Sequence, residues 1–297
     1  MDIQLEQFKI FEAVARCGSF SAAAEELFVT QPAVSQSIKQ LEGRLETKLF
    51  VRGQRGAALT EAGQDLYAYV SEAMRLLENG ENHINQLKTL HHGLLRIGAS
   101  DTLCNHYLLP YLKQFQEKYP RVKLRVTNRT SRETVELLRN GKVDIGFVNT
   151  PCTPDGAIEV RELLPLHDIF VYNPKLIELP RTAEGKVELS RVTLMMLEKE
   201  AATRTYVADE YEKRGIPLSP QIELGSHDLL LSFAMSGIGV AAVVREYSRH
   251  MLESGVLEEI DSLPALPPRA MALVTSKKTP LTAAAREFIK MLGHLNK

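Results

Sequence analysis

Hydrophobic periodicity changes character once along this chain, and that change limits the fold more than any other feature. Before Gly93 the apolar residues recur at three- and four-residue spacing, as on one face of a helix; after it, short apolar runs alternate with helical patterns. A chain of 297 residues divided this way is expected to hold a helical N-terminal part and a larger α/β part, each burying its own core.

In the first part Leu5, Phe8, Ile10, Phe11 and Val14 make one apolar face. Gly18 interrupts it, and Ser19 is placed to cap a second short helix containing Ala22, Ala23, Ala24 and Leu27. A tight turn at Phe28 to Thr30 leads to a third helix, with Thr30 at its cap and Pro32 in its first turn, where a missing backbone donor costs nothing. Val34, Ile38 and Leu41 point to one side of it, leaving Gln31, Ser35, Gln36 and Lys39 on more exposed sides. Helix, tight turn and polar-faced helix make a helix-turn-helix, and Gln and Ser are short groups able to read base edges in a major groove. A small helical bundle with a wet Ser and Gln face would carry the same residues. The stretch LFVRGQRGAALT predicts a two-stranded wing bearing Arg52 and Arg55. From 30 to 60 the basic residues Lys39, Arg44, Lys48, Arg52 and Arg55 outnumber Glu42 and Glu46, a local excess suited to phosphate. The whole chain has 36 Lys and Arg against 37 Asp and Glu, which excludes a blanket of positive charge but not such a local surface.

Thr60 is placed to cap a long helix, with Gly63 tolerated near its start. Ala62, Leu66, Tyr69, Ala73, Leu76, Ile84 and Leu87 follow an approximate three-four spacing over roughly thirty residues, about 45 Å of helix. A partner chain is the favoured cover for this stripe, packing against the chain's own C-terminal part the alternative. His83, His91 and His92 have no Cys or Asp nearby to complete a ligand set, so no metal and no cofactor is expected.

After Gly93, strands are expected at 94–100, in VKLRVTN and at 143–149, with helices from Leu103 to Tyr119 and from a Ser131 cap through Leu138. That order predicts a parallel α/β layer. A second unit is expected from Leu163, with strands in LHDIFVYN, VTLMMLE, IEL and GIGVAAVV, and the tail 270–297 returns to the first as strand and helix. Two such units make a hinged body whose interlobe cleft is a natural small-molecule site. Polar groups at strand ends are its candidates: Ser100, Asp101 and Thr102, then Asn149, then Thr203, then Gly225, Ser226 and His227. Ordinary helix capping accounts equally well for any one of them.

Acidic Asp2 and Glu6 stand where a secretory signal would need basic residues, and no apolar run approaches the ~20 residues of a membrane span. The chain is expected to be cytoplasmic and free of membrane. Cys17, Cys104 and Cys152 are odd in number and widely spaced, which favours reduced thiols.

The segment FKIFEAVARCGSFSAAAEELFVTQPAVSQSIKQLEGRLETKLFVRGQRGAALTEAG resembles the N-terminal domain of the LysR-type transcriptional regulators. Matching positions include Ala23, Ala24, Leu27, Gln31, Pro32, Ser35, Ile38, Leu41, Glu42, Leu45, Leu49, Phe50, Arg52, Leu59, Thr60, Ala62 and Gly63. The resemblance implies a winged helix-turn-helix over 1–59, a dimerising linker helix over 60–90 and an effector-binding domain over 91–297. That domain would be like type 2 periplasmic binding proteins, with lobe I at 91–162 and 270–297 and lobe II at 163–269. It also implies a homodimer or homotetramer on double-stranded promoter DNA, contact with RNA polymerase in an activator, and autorepression in many members. The effector would be a small organic acid or an amino-acid-like molecule. By the same resemblance Thr30, Gln31, Pro32, Ser35, Gln36 and Lys39 match the recognition surface, with Arg52 and Arg55 in the wing, and Ser100, Thr102, Asn149, Thr203 and His227 match inducer positions.

Two departures matter. The loop EKEAAT before Thr203 lacks the glycine and serine that relatives often carry, and Asp101 would oppose a carboxylate if its side chain faced one. No cysteine follows Cys152, which argues against peroxide sensing by a paired cysteine in the second lobe. A solute-binding protein without a transcriptional role is the alternative function, disfavoured by the N-terminal module. An enzyme is not expected: Asp101, His167, Asp168, His227 and Asp228 share no nucleophile elbow, phosphate loop or metal spacing.

Overall fold

The computed structural model describes residues 4–53, 56–88, 93–152, 156–183, 185–261 and 263–294, and the chain divides into two compact units, 1–84 and 85–297. Arg55, His91 and His92, and the side chains of Arg52, His83, Ile84 and Leu87, lie outside the described residues.

The first unit opens with α1 (Leu5–Cys17), α2 (Phe20–Glu26) and α3 (Gln31–Arg44). Ile10, Phe11, Val14, Ala23, Ala24, Val34, Ile38 and Leu41 close one core, as their spacing predicts, but Leu5 is 56 % exposed and falls outside the buried face. Gly18 ends α1 in the left-handed region at φ 63, and the Ser19 hydroxyl accepts the Ala22 amide to start α2. Thr30 occupies the cap position of α3 without a side-chain cap bond, so backbone geometry and Pro near the start carry that terminus. The intervening turn holds Phe28 at φ 56 with its ring 96 % exposed, a conformation that costs a side-chain-bearing residue roughly 1–2 kcal/mol. The wing follows as β1 (Phe50–Gly53) antiparallel to β2 (Gly56–Leu59).

Glu42 ties the wing to α3. Its buried Oε1 accepts the amides of Leu49 at 2.9 Å and Phe50 at 3.3 Å, while Oε2 accepts from Lys48 Nζ at 2.7 Å. Two of the residues counted as local charge are thus spent on each other and on backbone.

Next comes α4 (Glu61–Lys88), with the Thr60 hydroxyl accepting the Gly63 amide at 3.0 Å. Gly63 is required rather than tolerated: a Cβ there would sit 2.2 Å from the Leu49 carbonyl oxygen. Leu66 of the expected stripe packs into the core of the first unit beside Tyr67, Val70 and Met74. Tyr69, Leu76 and Leu77 remain exposed.

The second unit holds two five-stranded sheets. The chain runs β3 (Gly93–Ala99), α5 (Asp101–Leu103), a π-helical turn (Cys104–Leu108), α6 (Leu109–Lys118), β4 (Val122–Asn128), α7 (Ser131–Arg139), β5 (Ile145–Asn149) and β6 (Ile158–Leu166). It continues through β7 (Asp168–Tyr172), β8 (Leu194–Leu197), α8 (Ala202–Glu212), β9 (Ile222–Leu224), α9 (His227–Met235), β10 (Val240–Val244), α10 (Arg245–Glu253) and β11 (Glu258–Glu259). It ends with β12 (Arg269–Ser276) and α11 (Ala283–His294).

The first sheet has the order β4-β3-β5-β12-β6 and the second β11-β7-β10-β8-β9. In the first, β4 and β5 run parallel to β3, but β12 is antiparallel to both β5 and β6, so the layer is mixed and not parallel throughout. The returning tail does rejoin the first sheet. That sheet keeps the chain through Leu166 and takes it back at Arg269, where the sequence suggested 163 and 270. The cap of α7 is Thr130 in a capping box with Glu133, one residue before the expected Ser131. Among the described residues no helix is long and apolar enough to cross a membrane.

Replacing Glu42 by Ala removes a buried acceptor of three bonds and is expected to destabilise the first unit by about 1–3 kcal/mol. Burial raises the Glu42 carboxyl, but Lys48 and the two amides outweigh it and leave it below its ordinary 4.5. Its contribution is therefore present above pH 4.5 and lost as pH falls through the lowered folded value. Urea unfolding of wild type and Glu42→Gln, followed between neutral and acid pH, should show that acid loss only in the wild type.

Candidate functional site

The α3 helix has one buried and one exposed side. Val34, Ile38 and Leu41 turn inward, while Gln31, Pro32, Gln36 and Lys39 are exposed and Ser35 is half-buried. Gln31 donates to the Ser35 hydroxyl at 3.1 Å, one helical turn away, which lines up two groups able to meet base edges. Thr30 is exposed at the N-terminal end of the same helix.

The second unit contains a cavity of about 390 Å³ whose walls come from both sheets. It brings together Ser100, Asp101, Thr102, Asn149, Thr203 and His227, residues separated by up to 127 positions in sequence, together with Gly225. Ser226, at the cap of α9, lies outside the lining. Sequence reasoning missed Asn128, Arg129, Thr130 and Glu133, which with Ser131 form one wall at the β4–α7 loop and the start of α7, and Tyr247 on α10. The loop before Thr203 presents Ala201 and Ala202, as the unusual EKEAAT sequence implied.

Hydrogen-bond polarity in this cavity is set by backbone amides and by one buried guanidinium around it. The Ser100 hydroxyl accepts the Leu103 amide, Ser131 accepts the Asn149 amide at 3.0 Å, and Thr203 accepts from Arg269 Nη2 at 2.9 Å. Each hydroxyl therefore keeps a proton to donate. His227 is 2 % exposed and its Nε2 accepts the Val244 amide at 3.1 Å, so the proton of the neutral ring resides on Nδ1. Arg129 adds a cation, with Glu133 3.9 Å away. Asn149 supplies the opposite polarity, a buried Oδ1 without a hydrogen-bond partner among the described residues. Asp101 turns Oδ1 back onto the Thr102 amide at 2.9 Å, while its own amide donates to Asn128 Oδ1 at 3.0 Å.

Beside the cavity, Asn105 and His106 both reach across to Asp228, at 3.0 and 2.8 Å. They stand in the π-helical turn, where Leu109 donates to Cys104, and Pro110 supplies no amide to continue α-helical pairing there. His106, His227 and Asp228 place three potential metal-ligand atoms within 4.8 Å of one another. The Val244 amide argues against a metal: with Nε2 accepting, a lone pair at His227 Nδ1 would require an imidazolate. Asp228 is 4.0 Å from that Nδ1, beyond hydrogen-bond reach.

Other chemically capable groups have separate tasks. His167 pairs with Glu246 at 2.7 Å and Asp168 with Arg269. Burial, and then Asp101, push the Cys104 thiol up to about 11, so it remains protonated at neutral pH.

His227 makes the unit sensitive to acid. Burial lowers its pKa below the ordinary 6.5, with His106 adding to the effect and Asp228 opposing it. An unfolded chain then binds this proton before the folded one, so stability is expected to fall as pH drops below 6.5. His227→Gln, whose amide oxygen can accept from Val244, should flatten that part of the profile in urea unfolding at pH 7.5 and about 5.5.

Comparison with known proteins agrees with both units. Residues 5–64 match the family described as bacterial regulatory helix-turn-helix protein, lysR family, and residues 88–296 match the LysR substrate binding domain. A probable RuBisCO transcriptional regulator of Guillardia theta is 30% identical over 293 residues, covering 96% of this chain and 94% of that protein. Full-length LysG of Corynebacterium glutamicum with bound effector Arg has a TM-score of 0.69 at 20% identity, covering 98% of each chain. Full-length CbnR complexed with its target DNA has a TM-score of 0.64 at 19% identity, covering 98% of this chain and 99% of that one. The fold is that of these regulators, a helix-turn-helix region followed by a two-lobed domain of mixed sheets. The chain belongs to the LysR family and is a DNA-binding transcriptional regulator, not an enzyme.

Proposed function

We propose that this regulator activates metabolic genes and represses its own, under the control of a small carboxylate-bearing metabolite held between the lobes. The observation that carries the ligand class is the set of donors with fixed polarity: Ser100, Ser131, Thr203 and His227, with Arg129 beside them. Such a wall favours a ligand rich in acceptors, and the unpartnered Asn149 Oδ1 favours one that also carries a donor, an ammonium or hydroxyl. Amino acids and hydroxy acids meet both requirements. The arginine bound by the LysG relative supports the same class.

The ligand would act by preferring one lobe arrangement over the other, which shifts the equilibrium between two states of the bound DNA complex. Thr30, Gln31, Pro32, Ser35, Gln36 and Lys39 would read the operator, with Arg52 and Arg55 on phosphate, and RNA polymerase would be the partner of the activating state. Exposed Tyr69, Leu76 and Leu77 on α4 support pairing of linker helices between two chains, and two such pairs would give a tetramer. Leu76→Glu should then lower the sedimenting mass.

The function is tested by quantitative gel shift on the segment upstream of the protein's own gene. Arg52→Ala should weaken binding to all duplexes about equally and reduce the salt dependence by about one counterion. Ser35→Ala should change the ranking of operator variants, by about 1–3 kcal/mol at the base it reads. Wild-type protein that binds every duplex alike, or none, would overturn the reading.

A further inference from the structure

The chain passes between the two sheets twice, from β6 into β7 at Leu166 to Asp168 and back into β12 at Arg269. Asp168 and Arg269 stand on these two crossings. Their side chains, each 2 % exposed, form a two-pronged ion pair, with Nε to Oδ2 at 2.5 Å and Nη2 to Oδ1 at 2.8 Å. A buried guanidinium is tolerated only when its remaining protons find acceptors. Here the second proton of Nη2 goes to Thr203 Oγ1 at 2.9 Å, on the cavity wall at the start of α8. Nη1 points to the Thr150 carbonyl at 3.4 Å, at the end of β5, and Thr150 and Ala270 exchange two bonds of 2.8 Å. The Tyr206 ring covers the guanidinium, with its centroid 5.7 Å from Cζ.

We propose that Arg269 is a positioning residue that makes the Thr203 hydroxyl part of the hinge, so that the state of this cavity wall is felt at both chain crossings. The inference rests on the ligand-controlled reading for its regulatory meaning. Its physical content is independent of it. Arg269 donates to the Thr203 oxygen and so leaves the Thr203 proton to point elsewhere, and the second Nη2 proton of Arg269 has its acceptor only while Thr203 stays in place. A movement of α8 relative to β12 must therefore break a charge-assisted bond to a buried guanidinium, which favours two discrete arrangements of the hinge over a continuum.

Hydrogen exchange of the full chain, without ligand or DNA, tests this. Thr203→Val keeps the side chain's shape and removes the acceptor. It should accelerate exchange at least tenfold at the Thr150 and Ala270 amides, which bond to Ala270 and Thr150 and not to residue 203. Thr203→Ser should restore wild-type protection there, and the amides of Ile97 and Ala242 in the sheet centres should be unchanged. Arg269→Lys, which loses the second prong, should reproduce the Thr203→Val pattern. The proposal is overturned if Thr203→Val affects only the start of α8, if it accelerates exchange uniformly, or if Ser fails to rescue. Because no ligand or DNA takes part, such a failure leaves the ligand-controlled reading standing, and absence of a ligand leaves this result intact.

Discussion

An ion pair removed from water sits where the chain passes between the two lobes, and much of the second unit is arranged to make that tolerable. Asp168 and Arg269 would be costly to bury singly; together, with Thr150 and Thr203 taking up further protons, they form a buried polar knot. For the knot to exist, two sheets must end at one place. The mixed topology achieves this, since β12 returns antiparallel between β5 and β6 and begins beside the end of β5. The same convergence brings Asn149, Thr203 and His227 to one cavity.

The cavity follows from ordinary backbone requirements. Helix starts leave amides unpaired, and the Ser100 oxygen satisfies one of them, while the Ser131 oxygen satisfies the amide of Asn149 at the end of β5. Each bond that stabilises local structure also orients a hydroxyl. Capping and ligand recognition are therefore not rival explanations for these residues: capping sets the polarity that recognition would use.

The helix-turn-helix could be read from residues because its core is local. The inward set Val34, Ile38 and Leu41 and the Ser19 cap follow from spacing alone. Glu42 could not be read this way, since its partners are amides seven and eight residues on and nothing in the charge count separates a buried carboxylate from a solvated one. Strand β6, IEVRELLPL, was missed because it is an edge strand with exposed charged residues and no clean alternation of burial. The direction of β12 depends on contacts more than a hundred residues distant. The strand-end candidates were legible because α/β architecture gathers strand ends, whereas Arg129 and Thr130 belong to a loop whose place beside Ser100 only the β3–β4 pairing reveals.

On the proposed function, the cavity of the second unit takes up a small acid. Isothermal titration of the full chain with amino acids and hydroxy acids, each paired with the amide in which the carboxylate is neutral, tests it most directly. Saturable binding of at least one acid is expected, with its amide weaker by tenfold or more, about 1.4 kcal/mol. Equal affinity for acid and amide, or binding confined to uncharged apolar compounds, would contradict it.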